Sequence, residues 1–326
     1  MARSSRAIAI GLAAMLALGA GASRAEDPHR LLVPMGDGTF SGAQLVSGSF
    51  SDEEQCARIP RAAWVVVDGR GDCIRYYAIN IGEGRIPALA VYIHGDRLEN
   101  RTTDLAPPEG YVSYGPAGIE RDLRIWAEGS RVPFLFVARP GTHGSSGDHK
   151  QRRRAREALL VNGALEAIKR RHGVERFHIA GHSGGGHVLA SLLNMRRDIA
   201  CAAISAGVVA VHERLQLVNR VADFTGYADY YDPVAHIDGI RRDPPPRIFV
   251  IADRGDKRVA YAIQALYVRR LKEIGLDPVL FHGIGRGGNR HGLSYLSLPV
   301  ALKCADGAPT RDIVDRLTTA VADEKP

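Results

Sequence analysis

The sequence predicts an α/β fold, a mostly parallel central sheet with helices on both faces. Three observations predict it: short apolar runs rich in β-branched residues, amphipathic stretches between them, and the regular alternation of the two over about 250 residues. Strands covered by helices on both sides have no wet face, so they read as continuous apolar runs rather than as alternating patterns.

In chain order, "MARSSRAIAIGLAAMLALGAGASRA" (1–25) places Arg3 and Arg6 before an apolar run from Ile8 to about Ala20, with a small-x-small end at Ser23-Arg24-Ala25. This is the layout of a secretory leader cleaved after Ala25; about 13 apolar residues fall short of the roughly 20 that span a bilayer. The stretch has no adjacent arginine pair and no cysteine at the cleavage point, so neither a twin-arginine route nor an acylated lipoprotein is suggested. The expected destination is a periplasm or the cell exterior, where disulfides persist. The four cysteines allow three pairings. The favoured one joins Cys56 to Cys73 across a local loop and Cys201 to Cys304, tying down the C-terminal segment.

Residues 26–60 are rich in Gly, Ser and charge without a sustained period, and are expected to form an arm or irregular cap on a domain spanning 61–326. "AWVVVDG" and "CIRYYAINIG" read as an antiparallel start. Buried strands are expected at 88–95, 132–141, 176–181, 199–207, 247–255 and 277–284, with helices at about 119–128, 154–171, 185–196, 258–274 and 309–323. The helix near 154–171 carries Leu159, Leu160, Gly163, Ala164, Ala167 and Ile168 on one stripe. Residues 208–233 break the rhythm and read as a small lid whose aromatics, Phe224, Tyr227, Tyr230 and Tyr231, serve packing.

The formal charge of +7 becomes +4 once Arg3, Arg6 and Arg24 leave with the leader, which is no nucleic-acid signature. The basic run "KQRRRARE" (150–157) reads as a solvated helix face, and the histidines lack ligand spacing with acids or thiols, so no metal is expected. "GIGRGGNR" contains G-x-G-x-x-G at Gly283, Gly285 and Gly288, but near the C-terminus and with no following βαβ unit, so it reads as a mobile loop rather than a dinucleotide site. No cofactor is expected.

Gly181-His182-Ser183-Gly184-Gly185 matches G-x-S-x-G, a pattern that chance alone gives in roughly one chain in five of this length and composition. Context strengthens it. An apolar strand, "RFHIAG", precedes the serine and a helix follows, as a sharp turn presenting a serine nucleophile requires. A serine needs a base, and the base an acid to orient it. After the later strand stand Asp253 and Asp256; in and after the last one stand His282 and His291. Asp256 and His291 are preferred because they fall in loops beyond the strand patterns. The oxyanion donors are expected to be the backbone N–H groups of Gly184 and Asp96. A carboxylate at Asp96 pointing inward would oppose an oxyanion, so it is expected to point away or pair with Arg97.

With "GHSGGG" at 181–186, the stretch from "YYDPVAHIDG" through "IADRGDKRV" to "LFHG", and "RHGLS" after it, residues 61–300 resemble the α/β-hydrolase superfamily. The C-terminal half is most similar to prolyl-oligopeptidase-type and dienelactone-hydrolase-type catalytic domains, in which the acid is followed three residues later by valine, here Asp256 and Val259. "ARPGTHGSSG" is similar to the loop after the fourth strand of such enzymes. The resemblance implies the α/β-hydrolase fold and a Ser183–His291–Asp256 triad, and says little of substrate. A gating propeller is not expected before residue 61. The expectation is an exported serine hydrolase cleaving a small ester, with a peptidase acting on short peptides, or an inactive envelope-binding relative, as alternatives.

Overall fold

The computed structural model describes residues 27–98 and 106–324; the expected leader lies outside them. The elements run α1 (Gly42–Ser47), α2 (Glu53–Arg58), β1 (Ala62–Val67), β2 (Arg70–Ile79), β3 (Ile86–Ile93), α3 (Glu109–Val112), α4 (Pro116–Trp126), β4 (Phe134–Val137), α5 (Ala155–His172), β5 (Val174–His182), α6 (Gly184–Met195), β6 (Ile199–Ser205), α7 (Val211–Leu217), β7 (Arg247–Ala252), α8 (Tyr261–Glu273), β8 (Val279–His282), α9 (Ser294–Ala305) and α10 (Thr310–Asp323). The strands form one eight-stranded sheet in the order β1-β2-β4-β3-β5-β6-β7-β8. β1 and β2 pair antiparallel, β2 pairs antiparallel with β4, and β4 through β8 run parallel.

The two-residue period of a strand divides the core between the faces. Val91, Ile93, Ile179, Ile204 and Val250 pack on one side against Leu160, Leu165 and Ile168 of α5, Leu189 and Leu192 of α6, and Tyr267 of α8. Ala90, Tyr92, Ala180, Phe249 and Ile251 pack on the other side against Ile119 of α4, Leu296 and Val300 of α9, and Leu317 of α10. α5 lies close to β1 at Gly163, where an added Cβ would come within 2.4 Å of Val65 Cγ1. It ends where Gly173 adopts φ 58°, a left-handed cap whose N–H bonds Lys169 O.

Two elements depart from expectation. The arm is not irregular throughout: Ser41 and Asp52 side chains cap α1 and α2. α9 lies in a stretch with no expected helix because Pro299 interrupts it and because Leu296, Ser297, Leu298, Val300, Ala301 and Leu302 are all buried, leaving no polar stripe to mark a period. Both favoured disulfides are present. Cys56–Cys73 fastens α2 to β2, and Cys201–Cys304 fastens α9 to β6. No helix among the described residues is long and apolar enough to cross a membrane.

Candidate active site

Ser183 lies between β5 and α6 with φ 53° and ψ −116°, a backbone conformation that L-residues rarely adopt and that persists only where its surroundings enforce it. The enforcement is visible: Ser183 N–H bonds Ser205 O at 2.9 Å, and Ser183 O accepts from His187 N–H at 3.1 Å. The turn is crowded enough to demand glycine, since a Cβ on Gly185 would sit 2.1 Å from Ile93 O. α6 begins at Gly184, so its N-terminal dipole faces the serine.

Asp256 follows β7, and His291 lies in the loop between β8 and α9. The Asp256 side chain is buried; its Oδ2 accepts from His291 Nδ1 at 2.8 Å, and its Oδ1 accepts from the N–H groups of Arg258 at 2.8 Å and Val259 at 3.0 Å. This fixes both the carboxylate and the imidazole ring. The alternatives weighed from sequence lie elsewhere: His282 is exposed and stacks on Tyr261, with ring centroids 5.3 Å apart. Asp253 accepts from Gly285 N–H at 2.6 Å and from Arg290 Nε and Nη2 at 2.9 Å each. The glycine-rich loop is therefore tethered rather than mobile. Its tightness explains its glycines: a Cβ on Gly285 would meet Arg290 O at 1.9 Å.

Asp96 does not pair with Arg97. Its carboxylate is gripped by Arg139 Nη1 at 2.9 Å, Arg152 Nε at 3.1 Å and Arg153 Nη1 at 2.5 Å. Arg139 continues to Glu157 at 2.6 Å and Arg153 to Asp223 at 2.8 Å, which closes a cluster of three carboxylates and three guanidinium groups. Burial alone would raise the Asp96 pKa, but Arg153, Arg152 and Arg139 hold it well below the usual carboxylate range. The reading of 150–157 as a solvated face is thus overturned for Arg152, Arg153 and Glu157, which are buried and paired. The carboxylate lies against the serine turn: a Cβ on Gly184 would fall 1.9 Å from Asp96 Oδ1. The N–H groups of Gly184 and Asp96 donate no hydrogen bond among the described residues.

His182, between the motif's first glycine and the serine, was not singled out from sequence. Its Nδ1 lies 3.2 Å from Ser205 Oγ, and its ring centroid is 5.0 Å from that of His291. Burial first, then the charges of His291 and Arg97, pushes its pKa down to about 3, so this ring is neutral. Ser183, His291, His182 and Asp96 open onto one cavity of about 600 Å³, walled on one side by Tyr92, Tyr111 and Trp126 and on the other by Val208, Arg214 and Val259. Segment 208–233 supplies Val208 and Arg214. Its aromatics pack: Phe224 lies under Arg214 at 4.1 Å, and Tyr231 stacks on His236 at 4.6 Å.

Solved structures of the same shape include an esterase of Pyrococcus furiosus, 12% identical, covering 87% of this chain and 98% of its own, with a TM-score of 0.53. A puromycin-hydrolysing peptidase of Mycobacterium tuberculosis is 15% identical over 77% of this chain and 41% of its own, with a TM-score of 0.51. An acylaminoacyl peptidase solved with Z-Gly-Gly-Phe-chloromethyl ketone is 16% identical over 76% of this chain and 40% of its own, with a TM-score of 0.50. The fold is that of the α/β hydrolases. The chain spans about two fifths of the length of either peptidase. No family model and no curated protein matches the sequence.

Within this fold, the one grouping of ligand-type atoms among the described residues is His178, Cys201 and Cys304, whose two sulfurs are joined in the disulfide. The Asp96 cluster had no local signal, because its members come from positions 96, 139, 152, 153, 157 and 223. His182 carried a signal that the motif conceals, since the pattern admits any residue between the first glycine and the serine.

Proposed function

We propose that this chain is an exported serine hydrolase that cleaves an ester by acyl transfer, with Ser183 as nucleophile, His291 as general base and acid, and Asp256 as the group that orients His291. The observation that carries the reading is the 2.8 Å contact from His291 Nδ1 to Asp256 Oδ2, in the cavity that also holds the strained Ser183. With Nδ1–H donated to Asp256, Nε2 is left as the lone-pair nitrogen. Ser183 Oγ attacks the ester carbonyl as Nε2 takes its proton, and the N–H groups of Gly184 and Asp96 hold the oxyanion. His291 returns the proton to the departing alcohol. A water activated by the same nitrogen then releases the acid. No cofactor enters these steps.

The Asp96 carboxylate does not oppose the oxyanion in this reading, because three guanidinium groups offset its charge. An ester is preferred to a peptide because the Pyrococcus furiosus esterase is matched along 98% of its length. Export is supported by two disulfides, which persist in oxidising compartments.

The test is fluorophosphonate labelling of the mature protein, mapped by peptide mass spectrometry. Rapid labelling at Ser183, lost in Ser183→Ala and slowed at least a thousandfold in His291→Ala, is expected. A folded wild type that takes no label would leave a binding protein with an inert hydrolase fold.

A further inference from the structure

Among the described residues, four arginines line the cavity beside Ser183: Arg97, Arg153, Arg214 and Arg258. Arg153 is bound by Asp96 and Asp223. Arg214 lies over Phe224 and donates from Nη2 to Arg258 O at 3.1 Å. Arg97 differs. Its backbone N–H is fixed on His149 Nε2 at 3.1 Å, yet its guanidinium makes no hydrogen bond or ion pair among the described residues, and its Nε is shielded from solvent with no partner.

A half-buried guanidinium with no anion beside it is costly to hold, because the shielding of its Nε removes hydration without supplying an acceptor. Burial pushes its pKa down, and the groups acting most strongly on its charge after that are the phenols of Tyr92, Tyr111 and Tyr114, none of them an anion at neutral pH. Among the described residues, the two acids that line the cavity are engaged: Asp96 with three arginines, and Asp122 with the Tyr114 hydroxyl. A fork of N–H donors without an acceptor, set in an aromatic wall beside the nucleophile, is suited to a carboxylate at the end of a short apolar or aryl body. Tyr92 and Trp126, 5.5 Å apart edge to face, provide the apolar surface.

We propose that Arg97 is the specificity residue of this site and pairs with a carboxylate on the substrate, so that the favoured esters are anionic ones. This rests on the serine-hydrolase reading of the same cavity. The anion completes Arg97 on binding, and a neutral ester of the same shape leaves the guanidinium unpaired.

The experiment compares kcat/KM for two matched pairs. One carries the charge on the acyl side: 4-nitrophenyl hydrogen glutarate against 4-nitrophenyl 4-carbamoylbutanoate. The other carries it on the leaving side: 4-carboxyphenyl pentanoate against 4-carbamoylphenyl pentanoate. The expected result is at least a tenfold preference for the anion in one pair, falling to within threefold of unity in Arg97→Gln and partly kept in Arg97→Lys. Fluorophosphonate labelling of Ser183 in each variant shows that the fold and the nucleophile persist. Equal rates for anion and amide in both pairs would overturn the proposal while leaving the hydrolase reading intact. A preference that survives Arg97→Gln but vanishes in Arg214→Gln would overturn the assignment to Arg97. An unlabelled wild type with no turnover of any ester would instead remove the reading on which the proposal stands.

Discussion

Asp256 and Asp96 both lie within the site around Ser183, but Asp256 meets one imidazole and two backbone N–H groups, whereas Asp96 meets three guanidinium groups. In the proposed function, the difference separates a carboxylate placed to orient the base from one placed for shape. Asp256 faces an imidazole, whose two ring nitrogens can serve one as donor and the other as acceptor. Asp96 faces permanently charged guanidinium groups, so its charge is spent on holding the loop after β3, the turn before α5 and Asp223 in the 208–233 segment as one unit.

The contrast breaks most sharply in variants of the two acids. Asp256→Asn keeps an acceptor for the Arg258 and Val259 N–H groups but takes the wrong hydrogen-bonding partner to His291. Turnover of an activated ester should fall about ten-thousandfold, with a denaturation midpoint near that of wild type. Asp96→Ala removes the carboxylate shared by three buried guanidinium groups and should cost about 3–5 kcal/mol of folding stability, read from urea melts. If Asp96→Ala melted like wild type while Asp256→Asn unfolded, the division of labour argued here would be reversed.

That division also explains what the sequence could and could not disclose. The proposed triad of Ser183, Asp256 and His291 follows from sequence because the chemistry asked of a triad dictates chain order and position: a turn after a strand, an acid after a later strand, a histidine beyond the last. The strands were legible because burial on both faces makes each a contiguous apolar run. The Asp96 cluster was illegible because an ion pair leaves no periodic trace, and "QRRRARE" looks the same whether water or three carboxylates surround it. Helix α9 was hidden for the converse reason: it is buried nearly all round, so its pattern carries no polar face.

Acid sharpens the comparison with smaller effects. His94, His143, His149 and His182 all have pKa values lowered chiefly by burial, with His182 pushed to about 3. The folded state therefore refuses protons that the unfolded chain accepts below its histidine pKa of about 6.5. Stability is full above that pH and is lost as pH falls toward the folded-state values, by about 1.4 kcal/mol per pH unit for each such histidine. The Asp96 pKa is depressed as well, so its contribution is present above the ordinary carboxylate value of 3.8 and lost only as pH falls below it. Urea melts from pH 7.5 to 4.5 should thus show an early loss. The slope in His149→Gln should be shallower by about one histidine's share. A stability that stayed flat to pH 4.5 would contradict the burial of these rings.

The smallest effect concerns the two histidines near β8. His282 ends the strand and His291 follows a tight, tethered loop, so chain position alone sets them nine residues apart with very different surroundings. The His282 ring is exposed and touches Tyr261 only in a surface stack, a contact worth about 0.5 kcal/mol or less at such a site. His282→Ala should therefore keep turnover within twofold of wild type and shift stability by no more than that amount. Asp253→Ala, which frees Gly285 and Arg290 from their tether, should lower turnover more than tenfold by letting the His291 loop move away from Asp256. The measurement that decides is the pair of kcat values on one activated ester. A larger loss from His282→Ala than from Asp253→Ala would place the working imidazole on the strand instead of on the loop.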